Sequence, residues 1–316
     1  MGKDIAAQLQ SVLESYADAL PFQDGGLDAL TVASLSQEVS QLWLAECEQY
    51  LGSLHMAQPL RTLHHFACTG GTLIAKSIAL MPNVALLSEV DPLSNIVLPK
   101  SRLTKPVFNP TDLIYGLRRA LRPADESVVL SLFQAGLGAA HRDLSLLGQM
   151  LVVRDHTHSQ FCTSTDWNDR PTLREILIDT LPVCSVVIVR HPLDSYLSLR
   201  ANGWVNFSPG TLDTYAVRYL AFLDRYTDVP IVKYEDFVAD YDSIMRRLCS
   251  ILQLPFVSGA QELLPLVSIS GDSGRSSNKI EPRARRSYAS SILTEAHESK
   301  SFGDLCERLD YELPSI

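Results

Sequence analysis

From Pro59 onward the chain alternates short apolar runs with amphipathic stretches. Thr62–Ala67, Val84–Ser88, Met150–Arg154, Val183–Val189 and Ile231–Lys233 read as strands. Val183–Val189 is a continuous apolar run rich in Val and Ile, as expected of a strand covered on both faces. Helical spacing marks Thr72–Met81, Asp112–Leu121, Asp125–Leu147, Leu193–Ala201, Leu212–Tyr226 and Phe237–Leu254. Strand and helix in alternation predict an α/β fold of three layers around a central parallel sheet. Before Pro59 the pattern is helical only. Ile5, Leu9, Val12, Leu13, Tyr16 and Leu20 form one periodic series, and Val32, Leu35, Val39, Leu42, Trp43, Cys47 and Tyr50 form another. Phe22 to Gly26 separates them. The expected organisation is an N-terminal helical hairpin over 1–58 and an α/β domain over 59–316. Core packing is the plain role for the hairpin; covering a substrate or forming a homodimer is the alternative.

Composition narrows this picture. The 316 residues carry 27 Lys+Arg and 36 Asp+Glu, a net charge of −9, and 46% are hydrophobic. That is enough apolar material for a sizeable core. An acidic chain argues against broad binding to nucleic acid or anionic membrane, though a local basic pocket is compatible with it. No apolar run approaches the roughly 20 residues that span a bilayer. Met1 to Leu20 contains Asp4, Glu14 and Asp18 and does not read as a signal peptide. Six cysteines occur without a CxxC pair, so reduced thiols in a cytoplasmic protein are expected, with no metal site.

The first chemical signal follows the first strand. In Phe66-Ala67-Cys68-Thr69-Gly70-Gly71-Thr72-Leu73, two adjacent glycines allow successive N–H groups to surround an anion. The following helix directs its N-terminus at the same point, and Thr69 and Thr72 offer hydroxyls. A tight turn into a helix is the bland reading. Gly70 to Ser77 also approaches the Walker A pattern, with Ala75 where its second Gly belongs, which keeps a P-loop nucleotide kinase as the runner-up.

The second signal is Val189-Arg190-His191-Pro192-Leu193-Asp194-Ser195-Tyr196-Leu197-Ser198. An Arg at the end of a buried strand suits bidentate phosphate binding. Ser198, two helical turns on, can reach the same group. With both motifs in place, the chain resembles the sulfotransferases that use 3′-phosphoadenosine 5′-phosphosulfate (PAPS). That resemblance implies a P-loop-like nucleotide-binding core. It implies a 5′-phosphate grip at Cys68, Thr69, Gly70, Gly71, Thr72 and Leu73, and a 3′-phosphate grip at Arg190 and Ser198. Lys233-Tyr234-Glu235-Asp236-Phe237 resembles the family's Tyr-Glu-Asp segment. The polar, basic stretch Ser268–Ser291 reads as a loop, and its Ser273, Gly274 and Arg275 resemble the residues that close over the 3′-phosphate. The implied reaction moves a sulfonate group from PAPS to a hydroxyl of a small molecule or glycan, leaving 3′-phosphoadenosine 5′-phosphate (PAP). The alternatives are the kinase and a catalytically degenerate, sulfotransferase-like nucleotide-binding protein.

One departure from the family matters. Cys68 stands where these enzymes place Lys or Arg, so the charge that develops on the bridging oxygen needs another partner. Lys76, Lys105, Arg154, His64 and His65 are the candidates. Cys68 as a nucleophile is a further reading, favoured only by the nearby helix N-terminus. Two residues compete for the general base. Glu89 follows the second strand, as in tyrosylprotein-type sulfotransferases; His156, in Arg154-Asp155-His156-Thr157-His158, follows the third, as in cytosolic ones. Glu89 is expected to be the base and His156 to sit beside the attacking or leaving oxygen. The bland readings are a surface carboxylate or cap with Asp91, and a hydrogen-bonded loop histidine.

Overall fold

The computed structural model describes residues 58–96, 112–118, 120–164, 166–267, 269 and 280–315. The chain divides into two units, Met1–Met56 and Ala57–Ile316, and the described residues belong to the second. The expected N-terminal hairpin lies outside the described residues, as do Lys105, Ser273, Gly274 and Arg275.

The elements run β1 (Leu60–His65), α1 (Gly71–Ala79), β2 (Val84–Val90), α2 (Leu113–Arg118), α3 (Glu126–Leu146), β3 (Met150–Asp155), α4 (His158–Phe161), α5 (Leu173–Ile178), β4 (Val183–Val189), α6 (Pro192–Ala201), α7 (Leu212–Asp224), β5 (Ile231–Lys233), α8 (Tyr234–Ala239), α9 (Tyr241–Ile251), a 3-10 turn (Ala260–Leu266), α10 (Ser290–Glu298) and α11 (Lys300–Arg308). All five strands are parallel, in the order β2-β3-β1-β4-β5. The expected α/β sheet is therefore present. The chain crosses from β1 to β2 on one side, returns to β3 beside β1, and then crosses to β4 on the other side, so the connections diverge at β1. The carboxyl ends of these three central strands form the crevice where open parallel sheets place their ligands.

Alternation of side chains along the strands builds a core on each face. Leu63, Val152, Val186, Ile188 and Val232 pack with Ile74, Ile78, Phe237, Met245 and Leu248 of α1, α8 and α9. On the opposite face, Val187 and Val189 pack with α6, α7, α10 and α11, while Leu60, Leu151 and Val153 pack with α3 and α5. Phe66, fully buried just past β1, stacks on Tyr219 at 4.5 Å and 9°. That contact fixes the loop after β1 to α7.

Several boundaries differ from the sequence expectation: β1 is Leu60–His65 rather than Thr62–Ala67, β2 runs on to Val90, and α2 is shorter, Leu113–Arg118. Phe237–Leu254 is not one helix but the end of α8 followed by α9. The break is at Asp240, whose extended backbone carries a side chain that accepts the Ser243 N–H at 3.2 Å and caps α9. Beyond the basic loop, α10 and α11 add helices that were not expected.

Candidate active site

The loop after β1 is shaped by two close approaches. Gly70 has φ +90°, and a Cβ there would lie 2.1 Å from the Tyr234 ring. A Cβ on Gly71 would lie 2.3 Å from the His65 ring. Glycine is thus required at both positions, on conformational grounds at the first and steric grounds at both. Leu73 and Ile74 donate their N–H groups to the Gly70 carbonyl and start α1. The Thr69 hydroxyl is fully buried and donates to the Phe66 carbonyl at 2.8 Å, so it stabilises the turn from within. The Thr72 hydroxyl instead accepts from Arg154 at 2.9 Å.

Arg154 is the residue around which the crevice is organised. It is the penultimate residue of β3, on the α1 face of the sheet, next to Leu63 of β1, and its side chain is 4% exposed. Its Nε donates to His65 Nε2 at 3.0 Å, and its terminal nitrogens donate to Ser88 Oγ at 2.8 Å, Thr72 Oγ1 at 2.9 Å and Glu89 Oε1 at 3.4 Å. One guanidinium therefore joins the ends of β1, β2 and β3 to the first turn of α1. Of the substitute cations considered from the sequence, Arg154 donates to Thr72 of the glycine loop. Lys76 lies in the second turn of α1. His64 is fully buried on the opposite face, between Asp155 at 2.8 Å and Thr62 at 2.9 Å.

The two carboxylates at the end of β2, Glu89 within the strand and Asp91 just past it, have separate tasks. Asp91 is 4% exposed and binds Arg170 at 2.6 Å, the Leu93 N–H at 2.9 Å and the Ser159 hydroxyl. It pins the end of β2. Glu89 is 26% exposed, pairs with Arg154, and stands at φ 58°, in the left-handed region, where β2 slips register between Leu87 and Val90. A non-glycine residue there costs on the order of 1–3 kcal/mol, a strain that gathers at functional sites. It turns Glu89 out of the strand's alternation toward Arg154.

His156 donates its backbone N–H to Val90 at 3.1 Å, next to the end of β2. Its ring lies 6.3 Å from that of His158, which lies 6.0 Å from Trp204. Burial, followed by the His156 charge, pushes the His158 pKa down to about 4, so His158 is neutral. The Thr157 hydroxyl binds the His65 carbonyl and holds this segment to β1.

The second phosphate motif meets the first at Cys68. Arg190 follows β4, donates to the Cys68 carbonyl at 3.3 Å, and lies 5.0 Å from the Tyr234 ring centre. Ser198 is buried in the second turn of α6. The start of α6 is anchored by His191: Nδ1 accepts the Leu193 N–H, and Nε2 donates to the Glu312 carbonyl at 3.1 Å. Glu235, from the Tyr-Glu-Asp segment, accepts the His191 N–H at 3.0 Å and the Tyr311 hydroxyl at 2.6 Å. Two further cations arrive from the basic loop. Arg285 pairs with Asp194 at 2.9 Å, and the charge of Arg286 acts on the Cys68 thiol together with that of Arg190. Sequence reasoning singled out neither of them as a site residue, because its motif match fell on Ser273, Gly274 and Arg275, which lie outside the described residues.

Cys68 itself has φ 62° and accepts weakly from Asn202 at 3.9 Å. Burial pushes its thiol up to about 11 against the smaller opposing pull of Asn202, Arg190 and Arg286. A thiol held protonated at neutral pH is a poor nucleophile, which removes the support for covalent chemistry at Cys68. A measurable consequence follows. At pH 8 only about one Cys68 in a thousand is thiolate, so iodoacetamide labels it slowly, about tenfold faster for each unit of pH up to 10. Mass spectrometry of the Cys68 peptide reads this rate, and rapid labelling at pH 7 would contradict it.

No protein-family model matches the chain, and no curated protein matches it in sequence. Among solved structures it is similar to mouse sulfotransferase SULT7A1 complexed with PAP, at 13% identity over 69% of this chain and 68% of that one, with a TM-score of 0.35. It is also similar to sulfotransferase STF9 from Mycobacterium avium, at 14% identity over 88% of this chain and 84% of that one, with a TM-score of 0.41. Both neighbours are sulfotransferases.

Proposed function

We propose that this chain transfers a sulfonate group from PAPS to a hydroxyl of a small molecule or glycan. The observation that carries the reading is the meeting of two anion motifs distant in sequence: Arg190 donates to the carbonyl of Cys68, inside the glycine loop. Around that junction, Gly70 and Gly71 open the start of α1, and Arg154, Arg285 and Arg286 supply positive charge in an otherwise acidic protein. These residues suit a nucleotide with phosphates at both ends. Gly70, Gly71 and Thr72 would take the 5′ side, and Arg190 and Ser198 the 3′ side. Bound there, PAPS would supply an activated sulfonate on a phosphate leaving group. Glu89 would accept the proton of the acceptor hydroxyl, while Arg154 would balance negative charge beside Thr72. His156, next to Val90, would help orient the acceptor.

The kinase reading is less well supported. Its Walker-type serine, Ser77, donates its hydroxyl to the Leu73 carbonyl at 3.0 Å within α1, and Ala75 is fully buried.

Arg190→Ala tests the assignment of the two ends. It should weaken PAP about ten- to a hundredfold, the equivalent of one charged hydrogen bond, and leave adenosine 5′-phosphosulfate, which lacks a 3′-phosphate, nearly unchanged. Calorimetric titration of both ligands measures this. Equal losses would mean that Arg190 does not read the 3′ end.

A further inference from the structure

β1 carries two consecutive histidines at its carboxyl end, and both are buried. Because strand side chains alternate, they serve opposite faces. His64 turns to Asp155, which also accepts the Tyr226 hydroxyl at 3.1 Å, while His65 turns to Arg154. Two neighbours on β1 thus meet two neighbours on β3. The His65 ring has a defined proton arrangement. Its Nδ1 lies 3.0 Å from the Phe66 carbonyl, which can only accept, so Nδ1 carries the hydrogen. Its Nε2 lies 3.0 Å from Arg154 Nε, which can only donate, so Nε2 presents its lone pair. The same ring fills the space beside Gly71 that a side chain would occupy.

We propose that His65 is a positioning residue: its Nε2 lone pair fixes the rotation of the Arg154 guanidinium, so that the terminal nitrogens reach Thr72 and Glu89 together. A guanidinium can pivot about its long side chain, and burial alone does not choose its plane. An acceptor for Nε does, because the remaining N–H groups then point in set directions. Burial and the Arg154 charge hold the His65 pKa well below the usual histidine value, which keeps the lone pair available. The choice of histidine also explains the second glycine of the loop, since no side chain at position 71 fits beside the ring.

The kinetic part of the test rests on the sulfonate-transfer reading; the spectroscopic part does not. In the unmodified protein labelled with nitrogen-15 histidine, His65 should show an unprotonated Nε2 and a protonated Nδ1. A proton on Nε2 would overturn the proposal without any variant. With nitrogen-15 arginine, the Arg154 Nε–H resonance, identified by its loss in Arg154→Lys, should exchange slowly with water. His65→Phe keeps a ring but removes the lone pair, and should speed that exchange at least tenfold. His65→Gln places an oxygen near the former Nε2 and should recover most of the protection. An Arg154 resonance equally protected in His65→Phe would overturn the proposal, as would equal loss in both variants. In turnover, His65→Phe should lower kcat about ten- to a hundredfold with PAP affinity within about twofold, and His65→Gln should recover most of it. Altered Arg154 exchange with unchanged kcat would support the positioning role and count against the catalytic use of Arg154.

Discussion

Arg154→Leu should lower sulfonate transfer by about a hundred- to a thousandfold, the range seen when one preorganised donor to a developing oxyanion is removed. The sequence leaves Cys68 where a cation belongs, and Arg154 reaches Thr72 at 2.9 Å from the other side of the same crevice. Arg154→Lys should recover little. Lysine keeps the charge, but it cannot donate at once to His65, Ser88, Thr72 and Glu89 as the fork does. Stability should fall in both variants, because Arg154 is buried and its partners lose a donor. Chemical denaturation of each variant beside its kcat separates the two effects. If Arg154→Lys retained full turnover, a point charge would suffice and the fork geometry would be irrelevant.

Glu89→Gln should reduce kcat by about two to four orders of magnitude while PAP affinity stays near its original value. The substitution keeps size and hydrogen bonding but removes the proton acceptor. Asp91, two residues on, provides the control. Its oxygens are already committed to Arg170, Leu93 and Ser159. Asp91→Asn should therefore act mainly through the stability of the β2 end. His156→Ala should cost less than Glu89→Gln, since orientation is its assigned task. Steady-state rates with saturating PAPS compare the three. A fully active Glu89→Gln enzyme beside an inactive His156→Ala enzyme would reverse the roles of the two residues.

Strands β4 and β5 are legible in the sequence to the residue, β4 because a central parallel strand is apolar on both faces and its ends are abrupt. Loop and strand-end motifs are also local, and so the glycine loop and Arg190 could be found from spacing alone. The organising role of Arg154 could not. Its partners Thr72, Ser88 and His65 are 82, 66 and 89 positions away, and only the β2-β3-β1 order brings them together. The outward turn of Glu89 depends on a register slip that no propensity encodes. Helix α11 and its capping residue do carry Phe302, Leu305, Cys306 and Leu309 at helical spacing. The basic segment before it drew attention instead; Arg285 and Arg286 are its described contacts, and Ser273, Gly274 and Arg275 lie outside the described residues.

The most direct measurement is calorimetric titration of the intact chain with PAP, with and without magnesium, against magnesium–ATP. Arg190 and the glycine loop, joined at Cys68, should bind PAP at one site, independently of magnesium and more tightly than magnesium–ATP. A preference for magnesium–ATP, or no binding of PAP at all, would contradict the assignment of this crevice to a 3′-phosphorylated nucleotide.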